Sequence, residues 1–371
     1  MAIIGGGMAG LALAAELAEL DGRLAERSGG TRPPLSITLL ERENQLGYHS
    51  TGRSISAFCE SLGGPHQRAL TRASRTILDA MGAESGTPLL HTRPMVWVAD
   101  EEHLDPLNDL LTANPSLRAV DLAAAQTLCP PLRPSAVARA AVERTAQDID
   151  VDGLLERYRH RATAAGAVLR TAIGLESGTW DPAGSAWRLT TDRGELQAAR
   201  VVNAAGPWAD AVATRLGVAP AGLKSLRRTV AIASAPGIGP AWPLVMDVGE
   251  RFYFRPQRGG LLVSPADETP SPPTDAVPAA QDVSLALDRA ASATTLEFQR
   301  VRTSWAGLRT FTADRDPIVG PDPRQDGLSW FAGLGGTGIQ TAPALARLAA
   351  AQLLDEPYNV PGLNPQAFLP R

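Results

Sequence analysis

Near its start the chain reads Met1-Ala-Ile-Ile-Gly-Gly-Gly-Met-Ala-Gly-Leu-Ala-Leu-Ala-Ala-Glu16, placing Gly5, Gly7 and Gly10 in the G-x-G-x-x-G spacing. A short apolar run precedes the glycines, and an Ala/Leu-rich segment of high helix propensity follows them. Gly5 permits the tight turn out of the strand, and Gly7 lets the backbone come close to a pyrophosphate. Gly10 lets the helix lie close on the sheet, and its N-terminal N–H groups face the anion. Gly5, Gly7, Met8, Ala9 and Gly10 are therefore the first candidate cofactor-binding residues. Glycine spacing alone is a weak signal, so its context decides.

The context is a strand–turn–helix–strand series. Leu11, Leu13, Ala14, Leu17, Ala18 and Leu20 give the helix an apolar face. Ser28-Gly-Gly-Thr-Arg-Pro-Pro34 breaks it, and Ser36-Ile-Thr-Leu-Leu-Glu41 reads as a second strand. A carboxylate at that strand end accepts hydrogen bonds from ribose hydroxyls and repels a 2′-phosphate, which disfavours NADP. Glu41, with Arg42 beside it, joins the candidates. Only four residues precede Gly5, which leaves open a short first strand or a start further upstream.

A length of 371 residues predicts two domains. Apolar content of 44% with net charge -4 describes an ordinary globular chain, with no basic field for nucleic acid. The 35 Gly and 30 Pro imply many short elements. Cys59 and Cys129 form neither a metal spacing nor a disulfide framework, so no metal is expected and a reduced, cytoplasmic compartment fits. The apolar N-terminal run lacks a basic flank and is too short to span a membrane.

Gly47-Tyr-His-Ser-Thr-Gly-Arg-Ser54 follows as a hydroxyl-rich loop. With this run the chain resembles the D-amino-acid oxidase/dehydrogenase superfamily of FAD enzymes, most closely its D-arginine dehydrogenase branch, which carries a similar GYHSTGRS segment. The resemblance implies that Ser50, Thr51, Gly52, Arg53 and Ser54 lie along the FAD. It extends to Asn203, Ala204, Ala205, Gly206 and Trp208, similar to the superfamily's NAAGAW-type turn. It extends also to the strand-to-helix turn with Gly335, Gly336, Thr337, Gly338, Ile339 and Gln340. That helix N-terminus can stabilise negative charge on a reduced flavin ring. Three separated small-residue turns brought to one ligand point to FAD rather than NAD. The WAGLRTF stretch has no cysteine of the kind that links flavin in sarcosine oxidases, so the FAD is expected to be noncovalent.

The expected fold is α/β (α+β overall): a Rossmann-like FAD-binding domain with an interleaved antiparallel β-sheet substrate domain. The FAD-binding part is assigned to 1–85, 141–223 and 305–371, and the substrate part to 86–140 and 224–304. Helices are expected at 66–82, 101–113 and 121–128. Another begins at Asp148–Asp152, with Asp150 or Asp152 as its cap. Strands are expected at 91–98, 168–171 and 187–191. In the substrate part they are expected at 229–234, 244–247, 252–255, 261–264 and 296–303, with 265–278 a surface loop.

Three residues there resemble the group that holds a substrate carboxylate in the D-arginine dehydrogenase branch: Arg228, Tyr253 and Arg309, the last within a closely matching WAGLRTFTADRDPIVG run. Guanidinium suits that task because its fork pairs bidentately with carboxylate. The departures are informative. A pocket histidine of that branch is matched by Ala57, its acid for the substrate guanidinium by Met95, and its lid tyrosine by Leu62. A cationic side chain would be buried without a counter-ion. The expected substrate is accordingly a neutral or apolar D-amino acid, with Ile55, Ala57, Phe58, Leu62, Met95 and Leu244 lining the pocket.

The resemblance implies oxidative deamination, with hydride passing from Cα to flavin N5. Electrons would go on to a quinone, a dye-like carrier or oxygen. Leu262 matches the place of a lysine over the flavin in monomeric sarcosine oxidases, which leans towards a dehydrogenase. The alternatives are an N-methyl or cyclic secondary amino-acid oxidase, a 2-hydroxy-acid dehydrogenase, and a non-catalytic flavin-binding subunit.

Overall fold

The computed structural model describes residues 1–29 and 31–370. Gly30, inside the expected break at 28–34, and Arg371 lie outside the described residues. The first half of the architecture grows from the strand Ala2–Ile4, which lies inside a six-stranded sheet. Its order is Ile318–Pro321, Leu328–Ala332, Val201–Asn203, Ala2–Ile4, Thr38–Leu40 and Val168–Arg170. All neighbours run parallel except the first pair. The first strand is short, with all three residues buried.

Alternation along these strands builds three layers. Ile3, Leu39 and Val202 face the helices Met8–Arg27, Val151–Ala164 and Gly338–Leu353, whose Leu11, Leu13, Leu17, Leu154 and Leu345 are fully buried. Ala2, Ile4, Leu40 and Val201 face the other way, onto Trp187 and Leu189. Those two belong to a three-stranded meander, Leu175–Asp181, Ala186–Thr191 and Gly194–Ala198. Only the middle strand and its turn are legible in the sequence. The outer two carry too many exposed polar residues to signal a strand. Truncating any of the buried leucines to alanine costs about 2–5 kcal/mol.

The second half is a nine-stranded sheet. Its spine is the pair Lys224–Ser234 and Arg300–Phe311, antiparallel along nearly their whole length. Gly260–Ser264, Tyr253–Gln257, Leu244–Asp247, Met95–Ala99, Arg139–Glu143 and Leu117–Val120 continue it in that order. The sheet is mixed rather than purely antiparallel, because Leu244–Asp247 runs parallel to Met95–Ala99. Ala231, Phe254, Val263 and Val245 occupy one face and pack with Ala286 and Ala290 of the helix Ala280–Ala293, a helix the sequence reading did not identify. Val230, Ile232, Tyr253, Leu262, Leu244 and Met246 occupy the other.

The differences from expectation have local causes. The strand expected at 91–98 is two strands in different sheets, Leu90–Thr92 and Met95–Ala99, broken at Arg93-Pro94 where proline supplies no ladder donor. The strand expected at 296–303 begins at Arg300 and continues to Phe311. The sheet strands Arg139–Glu143 and Arg300–Phe311 therefore run across positions 141 and 305, where the sequence reading placed domain boundaries. Asp150 caps its helix, accepting a hydrogen bond from Gly153 N at 2.9 Å. Cys59 and Cys129 are buried free thiols. Among the described residues no helix is long and apolar enough to cross a membrane, and no cluster of His, Cys, Asp and Glu could hold a metal.

Candidate functional site

A cavity of about 770 Å³ lies where the two sheets meet. Gly5, Gly7, Met8 and Ala9 line it, and Gly10 holds the turn from behind. A Cβ on Gly10 would lie 2.0 Å from the Gly5 carbonyl oxygen, so only glycine lets the helix sit this close. Gly5 has φ +110°, a conformation that side chains disfavour, and a Cβ there would meet Ala204 O at 2.5 Å.

Glu41 lines the cavity and is fixed by backbone donors: Gly6 N donates to one oxygen at 2.6 Å and Glu43 N to the other at 2.8 Å. Each oxygen keeps a lone pair for a ribose hydroxyl. Arg42 lines the same end.

Three helices present their N-termini to the cavity: Met8–Arg27, Pro65–Ser85 and Gly338–Leu353. In none does the N-cap residue's own side chain cap the helix, and none has an acidic residue in its first turn. The partial positive charge at each end is left for an anionic ligand. The Pro65 helix is the one expected at 66–82, after the loop that the resemblance sets along the FAD. Its signal was Gly63-Gly64-Pro65, a turn followed by proline at a first helical position.

Within the 47–54 loop, Ser50, Thr51, Arg53 and Ser54 line the cavity and Gly52 does not. Several of these side chains are already engaged. Thr51 Oγ1 accepts from Met8 N at 3.0 Å, and Ser50 Oγ donates to Leu308 O at 2.7 Å. Arg53 donates to the carbonyls of Ala276 and Ala306 and pairs with Asp275. Arg53 thus straps the 265–278 segment to this loop.

Ala204, Ala205, Gly206 and Trp208 line the cavity, whereas Asn203 is wholly buried beneath it. Its Nδ2 donates to Ala209 O at 2.7 Å, which fixes the turn. Gly335, Gly336, Thr337, Gly338, Ile339 and Gln340 complete this wall. The Gln340 side chain donates to Cys59 O and Thr71 Oγ1 and accepts from Cys59 N, tying the helix to the 57–59 segment.

The other wall follows from strand register. Arg228 stands opposite Gly307, and Arg309 lies two residues beyond Gly307 on the same strand. Both arginines therefore share one face of the ribbon as diagonal neighbours. Tyr253 sits on that face with Val230, and its ring centroid is 5.7 Å from the Arg228 guanidinium carbon. Arg228 Nε donates to Asp267 O at 2.8 Å. A Cβ on Gly336 would lie 2.8 Å from Arg309 Nη1, so the glycine makes room for the guanidinium beside the third small-residue turn. Arg228 Nη2 and Arg309 Nε are buried and have no hydrogen-bond partner. Burial, reinforced by the charge of Arg228, brings the Arg309 guanidinium down to about 10.

Glu268 is the main residue the sequence reading missed. Its Oε1 lies 2.6 Å from Arg309 Nη2, 2.6 Å from Arg315 Nη2 and 3.7 Å from Arg228 Nη2. Burial alone would raise its carboxyl. The hydrogen bond from Arg315 and the charges of Arg309, Arg315 and Arg228 outweigh that and hold it below the usual carboxylate range. It stands in a segment expected to be a mere surface loop; the available signal was Asp267-Glu268 just beyond a strand end.

Of the expected apolar lining, Ile55, Ala57, Leu62 and Leu244 reach the cavity, joined by Val230 and Met246. Phe58 and Met95 do not, and both are fully buried. Phe58 belongs to the helix-side core, and Met95 lies one strand beyond its partner Leu244. Leu262 is likewise buried away from the cavity, and Lys224, the chain's one lysine, is exposed.

The backbone cradle, the acidic strand end and three helix N-termini free of acidic residues fit a dinucleotide. Comparison with known proteins agrees. The bovine (Bos taurus) FAD-dependent oxidoreductase domain-containing protein 1 is 28% identical over 190 residues, 47% of this chain and 39% of that protein, so the match spans about two fifths of that relative's length. L-proline dehydrogenase from P. horikoshii superposes with a TM-score of 0.83 at 19% identity, covering 100% of this chain and 96% of that one. Glycine oxidase from Geobacillus kaustophilus superposes with a TM-score of 0.81 at 22% identity, covering 100% and 97%. At these identities the two structures establish a shared fold. Residues 1–352 match the DAO family, described as FAD dependent oxidoreductase, and the chain accordingly belongs to that family of FAD-dependent enzymes.

Proposed function

We propose that this enzyme oxidises the Cα–N bond of a neutral or apolar α-amino acid, of D configuration on the sequence resemblance, with noncovalently held FAD. The observation that carries the reading is the arginine pair. Arg228 and Arg309 share one face of the sheet at the cavity, each with a buried N–H group that makes no hydrogen bond. A substrate carboxylate would satisfy those donors bidentately.

The FAD would be held by Gly5, Gly7, Met8 and Ala9 at the pyrophosphate and Glu41 at the ribose. Residues 50–54, 204–208 and 335–340 would lie along the rest. Bound FAD supplies the two-electron acceptor for the Cα–H bond. The imine so released is hydrolysed by water to a 2-oxo acid and ammonia. The chain itself binds and orients: Arg309 and Arg228 hold the carboxylate, with Tyr253 packed beside Arg228. Ile55, Ala57, Leu62, Leu244 and Met246 surround an apolar side chain and exclude water from it. No lysine or cysteine among the described residues lines the cavity. The FAD is read as noncovalent and the acceptor as a quinone or similar carrier.

Anaerobic mixing with a panel of D- and L-amino acids, N-methyl amino acids and 2-hydroxy acids tests the reading. Rapid flavin bleaching by neutral D-amino acids is the expected result. Bleaching by no amine at all overturns it.

A further inference from the structure

The arginines offered to a substrate carboxylate already face a carboxylate of the protein's own. We propose that Glu268 is an internal competitor, a latch that holds Arg309 until a ligand's carboxylate displaces it, with Arg315, already paired to it, keeping it on release. The inference rests on the carboxylate-binding role of Arg309 and Arg228 and adds to it the residue that sets how strongly they bind.

Four observations support it. Glu268 bridges Arg309 and Arg315, a link between the cavity wall and a half-exposed side chain at its edge: Arg315 is 51% exposed, Arg309 21%. The backbone of Glu268 is pinned, so that release is a side-chain movement. Asp267 accepts from Thr229 N at 2.6 Å and from Thr229 Oγ1 at 3.0 Å, and Thr269 pairs with Arg227 across the strand edge. Arg315 already donates to both Glu268 oxygens, at 2.6 Å and 3.1 Å, and so keeps the carboxylate when Arg309 lets go; its own guanidinium carbon is 4.0 Å from the centroid of the Phe311 ring. Finally, the pairing is incomplete at Arg228, whose Nη2 is 3.7 Å from Glu268, and at Arg309 Nε, which has no partner. A ligand carboxylate can thus engage these donors before it replaces Glu268 on Arg309 Nη2.

The physical reason for such a latch is the cost of a buried, uncompensated guanidinium. Glu268 relieves that cost when no acid is bound, and every carboxylate ligand must then overcome it. The latch weakens carboxylate binding without touching the apolar pocket.

Titration of the FAD-loaded enzyme with benzoate, followed by perturbation of the flavin absorption spectrum, tests this. Benzamide serves as the neutral control. Glu268→Gln removes the charge; Glu268→Asp keeps it but shortens the side chain so that it no longer reaches Arg309 from its pinned backbone. Both variants are expected to bind benzoate about tenfold or more tightly than the wild type, with benzamide unchanged. With a substrate found by the amine screen, KM should fall while kcat holds. If Glu268→Asp binds benzoate like the wild type, or both variants bind it no more tightly, the latch is overturned. Arg309→Met separates the two readings. Its loss of benzoate binding upholds the clamp whatever Glu268 does, and undiminished binding removes the clamp and the latch with it.

Discussion

The two walls of the cavity are made of different material. The dinucleotide wall is backbone: glycine turns, helix N-termini, and side chains such as Thr51, Asn203 and Gln340 that hold those turns in place. The wall proposed for the amino acid is side chain: two arginines and a tyrosine projecting from strands of one sheet, and a glutamate from the segment beyond one of those strands. Backbone recognition is rigid and generic, so one cradle serves a whole family. Side-chain recognition is adjustable, so it is where members of one fold can differ.

If the first wall is backbone, its most damaging substitution adds a single carbon. Gly10→Ala places a Cβ 2.0 Å from Gly5 O. It should cost about 3 kcal/mol of stability and strip the protein of FAD, read as a lower urea midpoint and a colourless preparation. A yellow, wild-type-stable variant would break the contrast between the walls. On the second wall Arg309→Met should keep its flavin but lose on the order of 10²-fold in kcat/KM for a carboxylate substrate. Steady-state kinetics on flavin-replete enzyme measures this, and an unchanged ratio would take Arg309 out of the clamp.

The pH profile sharpens the same point. Arg309 sits at about 10, held there by burial first and by Arg228 second. Anion binding needs its charged form, so carboxylate affinity should be constant below that value and fall towards tenfold per pH unit above it. Benzoate titrations across that range would show the break, and benzamide titrations would not; a flat benzoate profile contradicts it. The smallest effect belongs to Glu41→Gln. The amide keeps one acceptor for Gly6 N, so FAD affinity should drop only about fivefold, as measured by equilibrium dialysis of the apoprotein. A loss as large as that of Gly10→Ala would mean that the dinucleotide wall also depends on a side chain's charge.

The contrast also explains what could be read from the sequence. Gly5, Gly7 and Gly10 act within six residues of one another, and the strand and helix around them are local, so the cradle is visible in a short window. Arg228 and Arg309 are 81 positions apart and meet only through the register of two long strands. Without the resemblance to a known family, neither would stand out from 35 Lys and Arg residues. Glu268 had no such help. Its significance lies in a pairing with Arg309 and Arg315 across more than 40 residues of sequence. Met95 shows the opposite failure: it lies in register with cavity-facing Leu244, yet a strand's width takes it out of reach. Periodicity gives a residue's face, but only the completed sheet gives its depth.

The long ribbon of Lys224–Ser234 and Arg300–Phe311 carries a consequence for how such an enzyme can change. Its residues fall into two alternating sets. Arg228, Val230 and Arg309 line the cavity, while Ala231, with Phe254 and Val263 beside it, belongs to the seam with the helix behind. Every second position is thus free to be rewritten for a new substrate while its neighbours keep the sheet assembled. A one-residue insertion, by contrast, would exchange the two sets at a stroke, burying guanidinium in the seam and turning methyl groups towards the flavin. Short of the register shift that already interrupts the ribbon beyond Ile232, a new substrate is thus more readily accommodated by replacement than by a change in length.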